Sequence, residues 1–495
     1  MNNNKRIIYG LFASILILLL FSSFLAGFVL RGSLRAGPIF IAQEPSAGFG
    51  VSLQPIETLW KVLKLIKDNY VEKITDDQKL IYGAIRGMLG SLNDPYSRFL
   101  DPSQTKMLEE ESSGEFYGIG AQLGLRRIEV NGKWEDRVTI IAPLPGSPAE
   151  KAGLKAGDYI VAVDDKDVKG LSLDEVASRI RGKKGTSVKL TIERRGVKER
   201  LNFTIQRELI KVEPVESKFL PEGYGYIKLQ SFSEHAGERL RDAVLKSLKQ
   251  GAKGIILDLR NNPGGLFEEA VKTSSVFIKD SPVVIIQERG GKRTPVSPEK
   301  SLYVEGNYPL LVLVNEGSAS ASEILAGAIK DHERGKILGR RTFGKGLVQT
   351  VIPLGDGSAI SLTTAKYLTP SGKDINKEGI HPDIVFGPDE SKYEFSWNGA
   401  ILRWEKKHLR ILYLSPKSPL LKAGFQVGDL ITQIENKIVS ANPLVNITNL
   451  LFDETRKTVV LKCLKNGKLF SKSVPKEEID LELEKAVEVL RGGGK

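Results

Sequence analysis

The stretch that most restricts the fold is LLVLVNEGSASASEILAGAIKD, residues 310–331. Leu310 to Val314 form an unbroken apolar run, which suits a strand buried on both faces. Asn315, Glu316 and Gly317 read as a turn, and Ala, Leu and Ile then recur at helical spacing as far as Ile329. Ser320 therefore falls on a strand-to-helix corner. A hydroxyl there lies among backbone N–H groups that have no intrahelical partner, beside the positive end of the helix dipole. Such a setting can stabilise an alkoxide or an oxyanion. Serine also favours the position simply as a cap. The corner alone leaves both roles open.

The chain has 495 residues, 41% of them apolar, which is room for three or four domains with proper cores. Its net charge of +12 is spread along the whole length, so no nucleic-acid-binding tract is expected. A single cysteine, Cys463, excludes an internal disulfide framework and a cysteine-based metal cluster. Histidines occur only at 235, 332, 381 and 408, without an HExxH pattern. A zinc hydrolase is disfavoured, and neither metal nor cofactor is expected.

Lys5 and Arg6 precede an uncharged stretch, Ile7 to Leu30, that ends at Arg31. As a helix it would span about 36 Å, enough to cross a bilayer and longer than the apolar region of a cleaved signal peptide. Residues 1–31 are expected to be an uncleaved membrane anchor and 32–52 a linker rich in Gly, Ala, Pro and Ser. The charges flanking the anchor do not set its orientation. Ile56, Leu59, Trp60, Leu63, Ile66 and Tyr70 then fall on one helical face. A second helix over Leu80 to Leu92 stops at Asn93-Asp94-Pro95, and the helical region runs over 53–111.

From residue 112 the texture changes to glycine-punctuated strands. Gly118-Ile119-Gly120-Ala121 opens an apolar strand, SPAEKAGLKAGDYIVAV follows at 147–163, and Val188 to Glu193 alternates. Residues 112–206 resemble a PDZ domain. That resemblance implies that Gly118, Ile119 and Gly120 offer backbone N–H groups to a peptide's terminal carboxylate, the peptide adding as an extra strand. The pattern returns as SPLLKAGFQVGDLITQI at 418–434, at a constant offset of 271. Ser418, Pro419, Lys422, Ala423, Gly424, Gly428, Asp429 and Ile431 match their counterparts, and an internal repeat implies the same fold twice. Cys463 falls where Ile192 stands, so it reads as a small buried hydrophobe. Upstream of the second copy, HLRILYLSPKSP offers no clear Gly-x-Gly loop. The second PDZ-like domain, 389–480, is therefore expected to be structural or to dock a partner, with 481–495 as a C-terminal tail.

Between the repeats, 207–388 alternates strands (Gly225–Leu229, Gly254–Leu259, Val283–Gln287, Leu310–Val314, Ile337–Gly339) with helices near 234–250, 265–278 and 319–331. This is α/β texture around a buried sheet. A nucleophilic Ser320 needs a base. His332 lies twelve residues along the same helix, roughly 18 Å away, and none of the other histidines is well placed. Lys345, between Gly344 and Gly346 in RRTFGKGLVQT, is the better candidate. A lysine acts as a base only when burial or neighbouring positive charge depresses its pKa. Gln349 could hold the amine without adding charge, given a bend at the glycines.

NEGSASASEI followed by GRRTFGKGLVQ resembles the carboxyl-terminal processing peptidases, also called tail-specific proteases. DLRNNPGG (258–265), TPSGKDINKEGIHPDI (369–384), DPYSRFL (94–100) and the inserted PDZ domain fit the same family, over roughly residues 55–390. The resemblance implies a Ser–Lys dyad, with Ser320 as nucleophile, Lys345 as general base and Gln349 orienting it. The oxyanion hole would come from the N–H groups of Ala321 and of Gly264 or Gly265, with Ser318 and Ser322 as neighbours or caps. Arg181, at the end of the PDZ helix, is a candidate for coupling peptide binding to activity, the other reading being an ordinary surface charge. The expected fold is thus an α/β serine-peptidase core (207–388) with an inserted PDZ domain, an N-terminal helical segment, a second C-terminal PDZ-like domain and one transmembrane helix. The expected partners are polypeptides with exposed C-termini and the membrane, with a homo-oligomer or adaptor contact through the second PDZ-like domain. The protease would face the extracytoplasmic side. The competing reading is a membrane-anchored PDZ scaffold with a silent core, which would have no need of Ser320, Lys345 and Gln349 together. Nothing in the chain suggests the acyl pocket of an esterase.

Overall fold

The computed structural model describes residues 53–492, apart from 131–132, 145, 156, 172, 195–196, 198, 212, 442–443, 453–455 and 466–467. The expected membrane anchor and linker lie outside the described residues. Among the described residues no helix is long and apolar enough to cross a membrane. The chain separates into two units, one ending at Leu80 and the other running from Ile81. The first carries α1 (Leu53–Asn69), whose apolar residues Ile56, Leu59, Trp60 and Ile66 are exposed, and the opening turn of α2 (Asp77–Gly90).

In the second unit β1 (Arg98–Leu100) and α3 (Pro102–Ser113) lead to β2 (Glu115–Gly118). The PDZ domain follows, built from β3 (Ala121–Val130), β4 (Lys133–Pro143), the short helix α4 (Pro148–Lys151), β5 (Tyr159–Val163), β6 (Lys166–Asp167), α5 (Leu173–Ile180), β7 (Ser187–Glu193) and β8 (Leu201–Gln206). Alternation in β7 buries Val188, Leu190 and Ile192 and turns the residues between them outward. The sheet order is β3-β4-β5-β7-β8, with β6 on β5, which leaves β3 as an edge. On leaving the domain, β9 (Glu208–Lys211) pairs with β2. Entry and exit therefore form one ribbon, as an inserted domain requires.

The core follows, with β10 (Val215–Phe219), β11 (Gly225–Leu229), α6 (Ala236–Lys249), β12 (Ile255–Asp258), α7 (Phe267–Ser275), β13 (Val284–Glu288) and β14 (Arg293–Val296). After these come β15 (Leu310–Val314), α8 (Ala321–Asp331), β16 (Lys336–Gly339), β17 (Leu347–Pro353), β18 (Ala359–Leu368) and β19 (Ile384–Val385). The main sheet has the order β10-β11-β12-β15-β16-β19, and all neighbours but β10 and β11 are parallel. Its central strands are buried on both faces, as the apolar run of β15 predicts. Val312 and Val314 pack towards the helices α6, α7 and α8, while Leu311 and Leu313 face the other way. The sequence reading is corrected at β13, which leaves this sheet and joins a second, antiparallel one, β1-β18-β13-β14 with β17 on β18.

The C-terminal domain repeats the PDZ topology with β20 (Glu394–Trp397), β21 (Ala400–Trp404), β22 (Leu409–Leu414), α9 (Pro419–Lys422), β23 (Leu430–Ile434), β24 (Lys437–Ile438), α10 (Leu444–Leu451), β25 (Thr458–Lys465) and β26 (Lys468–Pro475). Ser147 and Ser418 cap equivalent short helices, and Cys463 faces Ile431 in the register in which Ile192 faces Ile160. Cys463 is fully buried. The expected tail is instead a helix, α11 (Leu481–Arg491), from which Ala486 and Val487 pack with Ile256, Leu311, Leu313 and Leu338. The last helix of the chain thus covers the second face of the main sheet.

Candidate active site

β15 ends in the turn that carries Ser320, and Ser320 occupies the N-cap position of α8 with φ 55° and ψ −112°. An ordinary N-cap has extended backbone. Strained geometry at a non-glycine residue persists only where its surroundings enforce it, and here they do. The Ser320 carbonyl accepts the amides of Glu323 and Ile324 at 2.8 and 3.0 Å, and the amide of Ala319 donates to the Asn262 carbonyl at 3.1 Å. The flanking serines are fully buried and committed. Ser318 Oγ donates to the Leu259 carbonyl and Ser322 Oγ to that of Asn262, at 2.8 and 2.9 Å. Ser320 is the half-buried member of the three.

What holds Lys345 beside Ser320 is a residue that the sequence reading missed, Glu323. Its carboxylate is completely buried. Oε2 accepts the amides of both Ser320 and Lys345, at 2.9 and 2.8 Å. Oε1 accepts the Gly344 amide at 2.7 Å and the Thr342 hydroxyl at 2.5 Å. The two main chains thus meet on one oxygen atom, well within the length of a lysine side chain. The S-x-x-E spacing from Ser320 was visible as a capping box, but that pattern announces only the half of the arrangement local to the helix.

Lys345 lies in the turn before β17. A β-carbon at Gly346 would collide with the backbone amide of Asn376, so glycine is needed for this close approach. The amine stands 5.0 Å from the centre of the Tyr96 ring, in the DPYSRFL segment that β1 anchors to β18. Burial holds its pKa below the ordinary lysine range, the charge of Arg98 acts in the same direction, and the Glu323 carboxylate opposes them. No hydrogen bond joins Lys345 Nζ to Ser320 Oγ among the described residues. Apo sites commonly tighten only around substrate. Gln349 sits at a register shift in β17 and its side chain donates to Thr363 Oγ1 at 3.3 Å, not to Lys345. Two of the four histidines are engaged elsewhere. His332 Nε2 meets the Pro282 carbonyl at 2.8 Å, and His408 pairs with Glu405.

Gly264 packs against the Ser320 corner, its β-position lying 3.0 Å from both Ser320 Cβ and the Ala321 amide nitrogen. Its own N–H already donates to Asn262 Oδ1 at 2.9 Å. Among the described residues the amides of Ala321 and Gly265 have no acceptor. Ala321 follows Ser320 directly and Gly265 follows the Gly264 packed on its corner, so two unspent donors lie on the chain segments that meet there, an arrangement that can receive a developing oxyanion.

In the PDZ domain the carbonyls of Ile119 and Gly120 accept from Ala149 and Leu144, at 2.8 and 2.9 Å. Their amides are unspent among the described residues, beside the open edge of β3. Arg181 follows α5, its guanidinium 4.8 Å over the Phe116 ring and 3.9 Å from Glu110. The C-terminal domain corrects the sequence reading, because the equivalent loop does exist, at Trp397-Asn398-Gly399. Gly399 accepts the amide of Ser415 at 2.8 Å as Gly120 accepts that of Leu144. It escaped notice because the following hairpin is shorter, Ala400–Leu414 against Ala121–Pro143. Asn398 and Gly399 both have positive φ, 53° and 73°, and so form a two-residue hairpin turn. Ile119 is β-branched and does not favour that conformation. The strand before the turn, β20, consequently folds back onto β21 and covers the edge on which a peptide would add. Trp397 donates its indole N–H to the Leu451 carbonyl at the end of α10, at 2.9 Å, and packs with Phe395 in the domain core.

Comparison with known proteins agrees with this architecture. The model of peptidase family S41 matches residues 223–386, a PDZ domain model matches 139–194, and the model of the activating protease CtpB N-terminal domain matches 42–104. The carboxy-terminal processing protease CtpA of Bacillus subtilis (strain 168) is 42% identical over 357 residues, 72% of this chain and 74% of that protein. A probable CtpA-like serine protease of Staphylococcus aureus (strain COL) is 41% identical, over 72% of this chain and 69% of its own. Among solved structures, the photosystem II D1 C-terminal processing protease is 35% identical and covers 66% of this chain and 92% of its own, with a TM-score of 0.43. The PDZ domain, with its free edge and unspent loop amides, fits binding of peptide C-termini. With this identity over this length, the chain belongs to the carboxy-terminal processing proteases of peptidase family S41 and is a serine-type C-terminal processing peptidase.

Proposed function

We propose that the protein is a membrane-anchored endopeptidase that grips substrate C-termini in its first PDZ domain and cuts by a Ser320–Lys345 dyad. The observation that carries this reading is the Glu323 carboxylate, which draws the Ser320 corner and the Lys345 turn onto one oxygen. Ser320 Oγ attacks the scissile carbonyl while Lys345 in its neutral form, which burial and the Arg98 charge favour, takes the hydroxyl proton. The oxyanion is received by the amides of Ala321 and Gly265. Gly265 is preferred over Gly264, whose amide is already spent on Asn262. Lys345 then passes its proton to the leaving amine, and water releases the acyl group from Ser320 with Lys345 again as base. To reach Ser320 the lysine side chain turns away from Tyr96. Gln349, two strand positions beyond Leu347, then orients the amine. Arg181 would report an occupied PDZ groove to this site, through Phe116 and Glu110.

Residues 1–31 would hold the enzyme in the cell membrane as a single-pass protein, with the protease on the extracytoplasmic side, periplasmic or extracellular. A homo-oligomer or adaptor contact through the C-terminal domain would have to use a surface other than its peptide groove.

The test uses the full chain in detergent with an unstructured polypeptide ending in an apolar free carboxylate, cleavage being followed by mass spectrometry. Amidation of that terminus is expected to raise KM about tenfold or more, since the unspent amides of Ile119 and Gly120 then lose their charged acceptor. Equal cleavage of both forms would remove the PDZ domain from substrate capture. Binding of the free carboxylate without cleavage would favour the silent scaffold.

The depressed pKa of Lys345 also sets a pH dependence. Activity should rise with pH as the amine loses its proton, with a midpoint below the ordinary lysine value of 10.5. Arg98→Met removes a positive charge that favours the neutral amine, so the limb should move to higher pH. Because Arg98 is exposed, the shift should stay within about one unit. A shift to lower pH, measured as kcat/KM against pH, would show that another group titrates.

A further inference from the structure

The C-terminal domain, its groove closed by its own strand, still reaches the loop that carries Gly264 and Gly265. Asp480, the residue that caps α11, receives Arg260 in a parallel pair of hydrogen bonds, from Nη1 to Oδ1 at 2.8 Å and from Nη2 to Oδ2 at 2.6 Å. Towards the core, Arg260 Nε stands 3.0 Å from Asp258 Oδ1 and Nη2 stands 2.6 Å from Asp258 Oδ2. Nη1 also approaches Glu482 Oε2 at 3.4 Å. A guanidinium held by two such forks is fixed in direction as well as in charge.

Neutrality does not require the second fork, because Asp258 already balances Arg260. Docking does not require it either. α11 is held on the sheet by Ala486 and Val487, and Lys417 adds pairs to Glu222 and Glu484 at 3.6 and 3.3 Å. What the Asp480 fork adds is orientation at the start of the loop. Two residues on, Asn262 takes over. Its Oδ1 accepts the Gly264 amide, and its carbonyl accepts from the amide of Ala319 and from Ser322 Oγ. One covalent stretch thus runs from the Arg260 fork to both sides of the Ser320 corner.

We infer that Asp480 is a positioning residue of the peptidase, which holds Arg260 and, through it, the loop that presents the Gly265 amide beside Ser320. The C-terminal domain is on this view a brace for the oxyanion loop, closed to peptides. The inference rests on the Ser320 mechanism proposed above.

The test compares Asp480→Asn with the wild type, as full chains in detergent. Asparagine keeps an oxygen for the Leu483 amide, which Asp480 Oδ1 accepts at 3.0 Å, so the cap of α11 survives. The readouts are kcat and KM on an internally quenched unstructured polypeptide with a free apolar C-terminus, and inhibition by a peptide aldehyde whose adduct oxygen occupies the oxyanion position. Asp480→Asn is expected to lower kcat about tenfold and to weaken the aldehyde by a similar factor, with KM within about twofold. Lys417→Ala, which removes docking contacts alone, should leave kcat unchanged. If Asp480→Asn does not fold, Arg260→Lys keeps the charge, loses the fork, and should show the same split between kcat and KM. An unchanged kcat in Asp480→Asn, or equal losses in Asp480→Asn and Lys417→Ala, overturns the inference. Cleavage that survives Ser320→Ala would overturn the nucleophile assignment and the inference with it. Cleavage lost in Ser320→Ala but full in Asp480→Asn overturns the inference alone.

Discussion

Ser320→Ala is expected to lower kcat on an unstructured polypeptide by about 10⁴-fold or more, and Lys345→Ala by a comparable factor, with the double variant little worse than either. The non-additivity follows from the chemistry. Without the hydroxyl there is nothing for the amine to deprotonate, and without the amine the hydroxyl is a poor nucleophile at neutral pH. Both variants should keep the wild-type melting curve, because Ser320 is half-buried and Lys345 makes no hydrogen bond through its amine among the described residues. Mass spectrometry of the products checks the first claim and a thermal melt the second. Residual cleavage by Lys345→Ala near the wild-type rate would mean that a different base serves Ser320. Equal activity in Ser320→Ala would end the dyad reading altogether.

Glu323→Ala should fail differently. Truncation leaves four donors facing a buried space, namely the amides of Ser320, Gly344 and Lys345 and the hydroxyl of Thr342. An unsatisfied buried donor costs about 1–3 kcal/mol. Water entering the gap would serve some of the four, so the expected loss of stability is about 3–6 kcal/mol. Activity should drop at least about 100-fold even in the folded fraction, because the Ser320 corner and the Lys345 turn lose their shared anchor. Glu323→Gln separates the two effects. It keeps the volume but sets an NH₂ group against amide donors, and should lose less stability than alanine while still losing activity. A melting curve and an activity per folded molecule close to wild type in Glu323→Ala would show that the loop–helix junction holds without the carboxylate.

The legibility of this chain differed sharply from one feature to the next. The central strands and helices could be read almost to the residue, because an apolar run such as Leu310–Val314 has few homes other than a strand covered on both faces. The PDZ repeat was equally plain, since its Ser-Pro cap, Gly-Asp turn and strand recur at one spacing. β13 was misplaced for a physical reason. A strand's apolar pattern says that it is buried, but not which sheet it joins. The loop at Trp397-Asn398-Gly399 was missed by holding the offset constant across a shortened hairpin, although Asn-Gly between β-forming residues is a strong hairpin signal.

Local chemistry in the sequence determined the strand-to-helix corner at Ser320, the lysine framed by glycines, the glycine-rich turn at 258–265 and the family to which the chain belongs. These features depend on residues close in sequence, and backbone preferences act at that range. Tertiary structure decided what long-range pairing alone can decide. It chose Glu323 as the carboxylate common to Ser320 and Lys345, gave Gly264's amide to Asn262 while sparing that of Gly265, and brought Asp480 to Arg260 from the far end of the chain. A buried polar group takes whatever partner the fold brings within hydrogen-bonding distance, and that partner can lie hundreds of residues away.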